Sequence, residues 1–186
     1  MRCGPPSRGC GAAGTVRRLL RERGTGRLFV RCGGEVMVGV SMLFGKRKQV
    51  VKRILIVEDE PLTAFENENM LGDAGYEIVA TVDDLDEALA VLERDKVDLI
   101  LSDVRLRRQQ TGIELARTAK QRGVPTLFAT GHPYPGAGDI AVGCLTKPYS
   151  ERQLCMAIEC VDRHLQGERV KAPKGLELFH AADEQK

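Results

Sequence analysis

From Lys52 onward the sequence alternates short apolar runs with amphipathic stretches, and this alternation restricts the fold more than any other feature. Residues 53–57 read as a buried strand closed by Glu58-Asp59-Glu60, and Pro61 suits the first turn of a helix. That helix runs to about residue 72, with Leu62, Phe65 and Leu71 taken as one side. Residues 77–81 give a second strand, and 84–94 a helix with Leu85, Ala88, Leu89 and Leu92 at helical spacing. A third strand spans 97–102 and a third helix 112–122. Strands four and five fall at 125–130 and 140–146. A last helix covers 151–165, with Leu154, Ile158, Val161 and Leu165 facing inward. Five strands alternating with helices predict an α/β domain whose parallel sheet is covered on both faces.

At 186 residues there is room for one such domain with tails. The net charge of +2 hides an asymmetry: residues 1–53 carry 13 Lys/Arg against two acids, whereas 54–168 carry 11 against 21. Residues 1–50 show no sustained period and are punctuated by glycine, so they read as a disordered basic extension. Basic arms attract nucleic acid or membranes, but a solvated extension is the simpler reading, and neither partner is expected. Met42 precedes a polar-basic leader and a clean strand, which suggests that translation starts there and that the earlier residues are a gene-model artefact. Residues 51–167 form the domain, and 168–186 are expected to be a flexible tail.

The six cysteines form no C-x-x-C pair and have no histidine at ligand spacing, which argues against zinc. Free buried thiols suit a reducing cytoplasm. No apolar run approaches the roughly 20 residues that span a bilayer. The run at 36–44 has its basic cluster after it, the wrong order for a secretory signal. An Arg-rich, acid-poor start is also the composition of a transit peptide.

Four polar features stand where strands end: Glu58-Asp59, Asp103, Thr130 and Lys147. In an open parallel sheet such positions converge on the edge where doubly wound folds bind ligands. Three carboxylates meeting there repel each other unless a cation intervenes, and an all-oxygen set suits Mg²⁺. A hydroxyl and an ammonium complete a site for a tetrahedral anion. The residue types fit transfer of a phosphoryl group onto Asp103 to give an acyl phosphate. Glu58, Asp59, Asp103 and the Arg105 carbonyl would hold the ion, with Glu58 acting through water. Lys147 and Thr130 would meet phosphoryl oxygens. Each piece alone has a plainer reading: an acidic pair starts helices, Lys-Pro makes turns, and a strand-end Thr or Asp caps something. The order and spacing carry the weight, with Asp103 following Asp59 by 44 residues and Lys147 following Thr130 by 17.

Residues 52–166 resemble the receiver domain of bacterial response regulators, on the stretches Arg53-Ile-Leu-Ile-Val-Glu-Asp-Glu-Pro61, Asp98-Leu-Ile-Leu-Ser-Asp103, Phe128-Ala-Thr-Gly131 and Leu145-Thr-Lys-Pro-Tyr149. The resemblance implies a flavodoxin-like five-stranded sheet of order 2-1-3-4-5. It also implies a histidine kinase or histidine phosphotransfer protein as partner, in the cytoplasm. Phe128-Ala-Thr-Gly-His-Pro-Tyr134 is similar to the alphaproteobacterial FAT GUY group, stand-alone receivers associated with stress-response phosphorelays. Three departures stand out. Cys144 occupies the position three before Lys147 that often holds a switching aromatic, and Tyr134 is a candidate replacement. Pro133, Pro135, Gly136 and Gly138 disfavour a helix between strands four and five, so the fourth helix of the usual pattern should be short or absent. The segment 104–112 is basic and lacks Met-Pro, predicting a flexible loop, where Arg105 together with His132 would tune phosphoryl lifetime.

The protein is therefore expected to be a non-enzymatic switch, monomeric or a weak homodimer, that acts through a partner, because too few residues follow 165 for an output domain. A receiver-fold interaction module that is not phosphorylated is the alternative. A metal-dependent phosphohydrolase is a more distant one, because that class needs an acid two residues after its nucleophile and Arg105 stands there.

Overall fold

The computed structural model describes residues 48–106, 111–132 and 134–179. The expected basic extension, with Met42, falls outside them apart from residues 48–50, as does the 107–110 part of the basic loop. In chain order the elements are β1 (Arg53–Val57), α1 (Pro61–Asp73), β2 (Glu77–Val82), α2 (Leu85–Arg94), β3 (Leu99–Ser102), α3 (Thr111–Gln121), β4 (Thr126–Thr130), β5 (Gly143–Thr146), α4 (Glu151–Leu165) and β6 (Leu176–Leu178).

The sheet order is β2-β1-β3-β4-β5-β6, with β1 to β5 parallel and β6 antiparallel to β5. The expected flavodoxin-like order 2-1-3-4-5 is present. The central strands are buried on both faces because residues 54–57, 99–101 and 127–129 within them are uninterrupted apolar runs. Ile54, Ile56, Leu99, Leu101 and Leu127 pack under α1 and α4 with Leu71, Leu154, Ile158 and Val161. The alternate residues Leu55, Val57 and Ile100 pack under α2 and α3 with Ala88, Val91, Leu115 and Ala119. Local signals set the helix starts. Pro61 opens α1, Asp84 caps α2 by accepting from the Glu87 amide, and Ser150 with Gln153 forms a capping box on α4.

Three expectations need correction. Leu62 and Phe65 are 64% and 63% exposed, and the buried face of α1 is Ala64, Asn67 and Leu71. Leu71 lies six residues after Phe65, about 240° further round the helix, so the three never shared a side. Leu165 is likewise 40% exposed at the end of α4. The segment expected to be a flexible tail is ordered as far as Phe179, because β6 pairs with β5 and Leu176 is 7% exposed within the core. The expected loss of the helix between β4 and β5 is seen: Ala137–Asp139 forms only a 3-10 turn. Among the described residues no helix is long and apolar enough to cross a membrane.

Two acids pin the chain as it enters β1. Asp162 Oδ1 accepts from the Val50 and Val51 amides, each at 2.7 Å, and Asp98 Oδ2 accepts from the Lys52 and Arg53 amides at 3.1 and 3.0 Å.

Candidate functional site

The parallel register brings the strand ends together. Val57 stands beside Ser102, Ser102 beside Phe128, and Thr130 beside Thr146, so the residues that follow collect on one edge. The Asp103 amide donates to the Val57 carbonyl at 3.0 Å, and the Lys147 amide to the Thr130 carbonyl at 3.0 Å. These bonds extend the ladder one residue beyond the strands and aim the next side chains outward from the edge. The Lys147–Pro148 peptide is cis.

Lys147 is the centre of the cluster. Its ammonium donates to Glu58 Oε2 at 2.5 Å and to Asp103 Oδ2 at 2.8 Å. Asp103 Oδ1 accepts from the Arg105 amide at 3.1 Å. Burial, reinforced by the Asp103 charge, holds the Glu58 carboxyl above its ordinary pKa despite the Lys147 contact. Burial also works against the Lys147 charge, but hydrogen bonds and attraction from Asp103 and Glu58 together outweigh it and raise the ammonium's pKa. The Thr130 hydroxyl is buried one strand away, accepting from the His132 amide at 3.2 Å and donating to the His132 carbonyl at 3.4 Å.

The structure thus joins Glu58, Asp103 and Lys147 directly, with Thr130 at the adjoining strand end and half-buried Asp59 next in the chain to Glu58. Exposed Arg105 contributes its amide to Asp103, and the His132 side chain is exposed. Three carboxylates and one ammonium leave the cluster formally negative, and its donors are all hard oxygens. That chemistry fits a divalent cation of the Mg²⁺ class, with Glu58, Asp59 and Asp103 as the side chains able to hold it. Their ligand oxygens do not all lie within 4.8 Å of one another. Among the described residues the acidic group that does reach that spacing is Asp83, Asp84 and Glu87, at the start of α2, where Asp84 is the helix cap.

Two supports were not foreseen from the sequence. A Cβ on Gly112 would lie 2.0 Å from the Asp103 carbonyl oxygen, so only glycine lets α3 approach the loop that carries Asp103. The sole sequence signal was a glycine near the start of a helical pattern. Behind the site, Tyr149 donates to Asn67 Oδ1 at 3.0 Å and ties the segment after Lys147 to α1. Cys144 is 7% exposed and packs with Phe128, Ala137 and Val104, against which half-buried Tyr134 and Phe179 also lie.

Residues 54–159 match the response regulator receiver domain family. The transcriptional regulatory protein PdtaR of Mycobacterium tuberculosis is 38% identical over 116 residues, covering 59% of this chain and 56% of PdtaR. The chain thus spans about half the length of that relative. The solution structure of SdrG from Sphingomonas melonis is 31% identical with a TM-score of 0.53, covering 61% of this chain and 98% of SdrG. The response regulator PhyR from Brucella abortus is 28% identical with a TM-score of 0.52, covering 64% of this chain and 50% of PhyR. The PhyR likeness fits the group suggested by the Phe-Ala-Thr-Gly segment.

Proposed function

This chain belongs to the response regulator receiver domain family, and from that premise we propose that it is a phosphoryl-accepting switch with Asp103 as phosphoacceptor. The observation that carries this reading is the Lys147 ammonium bonded at once to Asp103 and Glu58, beside the buried hydroxyl of Thr130. A cation already seated on the acceptor carboxylate is positioned for the charge that arrives with a phosphoryl group.

The donor is a phosphohistidine on a histidine kinase or phosphotransfer protein. A carboxylate oxygen of Asp103 attacks phosphorus, the P–O bond forms as the P–N bond breaks, and the electron pair returns to the imidazole nitrogen. Lys147 moves from the carboxylate to a phosphoryl oxygen. Thr130 turns its hydroxyl from His132 to another. The Arg105 amide keeps Asp103 oriented through Oδ1. Glu58, Asp59 and Asp103, with the Arg105 carbonyl, would hold Mg²⁺, which when bound supplies positive charge against the phosphoryl oxygens. Exposed Leu62 and Phe65, in the first turns of the helix that follows Glu58-Asp59-Glu60, offer an apolar landing for the donor. Free thiols at Cys144, Cys155 and Cys160 support a reducing, cytoplasmic setting. The resemblance of residues 128–134 to the FAT GUY group supports a place in a stress-response phosphorelay.

Acetyl phosphate with Mg²⁺ tests the reading by intact mass. One added phosphoryl group is expected on the wild type and none on Asp103→Asn. Labelling that survives Asp103→Asn, or none in the wild type, would overturn it.

A further inference from the structure

β5 is shared between the site and a segment that the site does not need. On one side it pairs with β4 in the register Thr130 with Thr146 and Phe128 with Cys144. On the other, β6 pairs antiparallel with it, Leu145 facing Leu176, Cys144 facing Glu177 and Gly143 facing Leu178. Flanking bonds extend the pairing, from the Thr146 amide to the Gly175 carbonyl at 2.8 Å and from the Phe179 amide to the Val142 carbonyl at 2.9 Å. Position 143 is built for this approach, since a Cβ there would stand 2.6 Å from the Glu177 carbonyl oxygen.

Phe179 packs beside the 3-10 turn Ala137–Asp139 that lies between β4 and β5. It packs on the Phe128–Cys144 cluster and stands between two open cavities, of about 320 and 420 Å³. Tyr134, Cys144, Glu177 and Phe179 all line the smaller one. Tyr134 lies on the loop that begins at Thr130, and the first turn of that loop is held by the two Thr130–His132 bonds. When the Thr130 hydroxyl turns to a phosphoryl oxygen, both bonds are lost and the loop is released. The cavity beside Cys144 is the adjacent space into which the Tyr134 ring can move. Glu177 and Phe179 line the same cavity, so a ring that enters it presses on β6 and the residue after it.

We propose that residues 173–179 are a strap reserving the β5 edge, released when Asp103 is phosphorylated, after which β5 takes an extended strand of a protein partner. An open edge of this kind templates backbone pairing. The strap itself indicates the chemistry of the partner strand: aliphatic side chains at alternate positions, as Leu176 and Leu178, followed by an aromatic, as Phe179. This inference rests on Asp103 being the phosphoacceptor, and the experiment separates the two.

The full chain is treated with acetyl phosphate and Mg²⁺ and followed by intact mass, hydrogen exchange and peptide-resolved alkylation of Cys144. The phosphorylated protein should exchange faster over residues 142–146 and 174–179 and alkylate Cys144 at least tenfold faster, with no change in Asp103→Asn. A labelled peptide of sequence Pro-Lys-Gly-Leu-Glu-Leu-Phe should bind the phosphorylated wild type and unphosphorylated Leu176→Ala/Phe179→Ala, whose own strap is weakened. It should not bind the unphosphorylated wild type or phosphorylated Gly143→Ala. Phosphorylation seen by mass with unchanged exchange and unchanged peptide binding overturns the strap alone. Absence of phosphorylation overturns both readings.

Discussion

At the scale of single residues, the cluster depends on contacts with little tolerance. Lys147 offsets two carboxylates, one of them only 4% exposed, and removing it would strand a buried charge. Asp103 itself depends on Gly112, where any side chain would meet the Asp103 carbonyl at 2.0 Å. The obstructing atom is backbone and cannot swing aside, so Gly112→Ala must displace either α3 or the Asp103 loop. Overpacking of this sort costs about 1–3 kcal/mol, and a displacement on the order of 1 Å at a reacting group can cost up to about 100-fold in rate. We expect Gly112→Ala to melt several degrees lower and to take phosphate from acetyl phosphate about tenfold more slowly or worse. Thermal melts and a labelling time course check this. Wild-type melting with wild-type labelling would show that the close approach has no consequence.

At the scale of elements, stability and site chemistry separate cleanly. Asp162 on α4 is 5% exposed and accepts the Val50 and Val51 amides, with Gln166 Nε2 at 2.7 Å on its other oxygen. It fixes where the chain enters β1, at the end of the sheet opposite the Asp103 cluster. Asp162→Ala leaves those amides without their acceptor, and we expect a loss of about 2–4 kcal/mol in urea unfolding. Asp162→Asn, which keeps an acceptor, should lose less, and phosphoryl labelling of either folded variant should match the wild type. A change below about 0.5 kcal/mol in Asp162→Ala would contradict the anchoring role. The same scale shows what the sequence makes legible. The five parallel strands could be read because residues such as 54–57 and 99–101 are apolar on both faces. The strand-end positions of Glu58, Asp103, Thr130 and Lys147 followed from that frame, and the structure puts Lys147 in contact with Glu58 and Asp103, with Thr130 on the adjoining strand. The phase of α1 could not be read, because Ala64 and Asn67 face inward while the larger Leu62 and Phe65 face out. The Asn67–Tyr149 bond that helps set this phase joins residues 82 apart. β6 was illegible for another reason. Leu-Glu-Leu is too short to show a period, and its stability comes from pairing with β5 and burying Leu176.

At the scale of the whole described domain, the sheet has two edges of different character. β2, at one end, carries Glu77 paired with Arg53 and Thr81 bonded to Glu68, a polar margin that discourages further pairing. β5 would form the other end, and β6 pairs along that edge opposite its buried residues Gly143, Cys144 and Leu145. A bare β5 would present unpaired backbone groups beside apolar side chains, and a second copy of the chain offers the same edge. Truncation after Lys174 removes β6 and Phe179 while leaving all five parallel strands and the Asp103 cluster in place. The truncated protein should remain folded by circular dichroism and still take up phosphate. It should also self-associate with rising concentration in sedimentation velocity, under conditions where the full chain does not. Adding Gly143→Ala to the truncation should suppress association if the new contact is strand pairing along β5, because the added Cβ would sit where a partner's carbonyl must come. A truncated protein that matches the full chain at every concentration would mean that β6 is not what guards this edge.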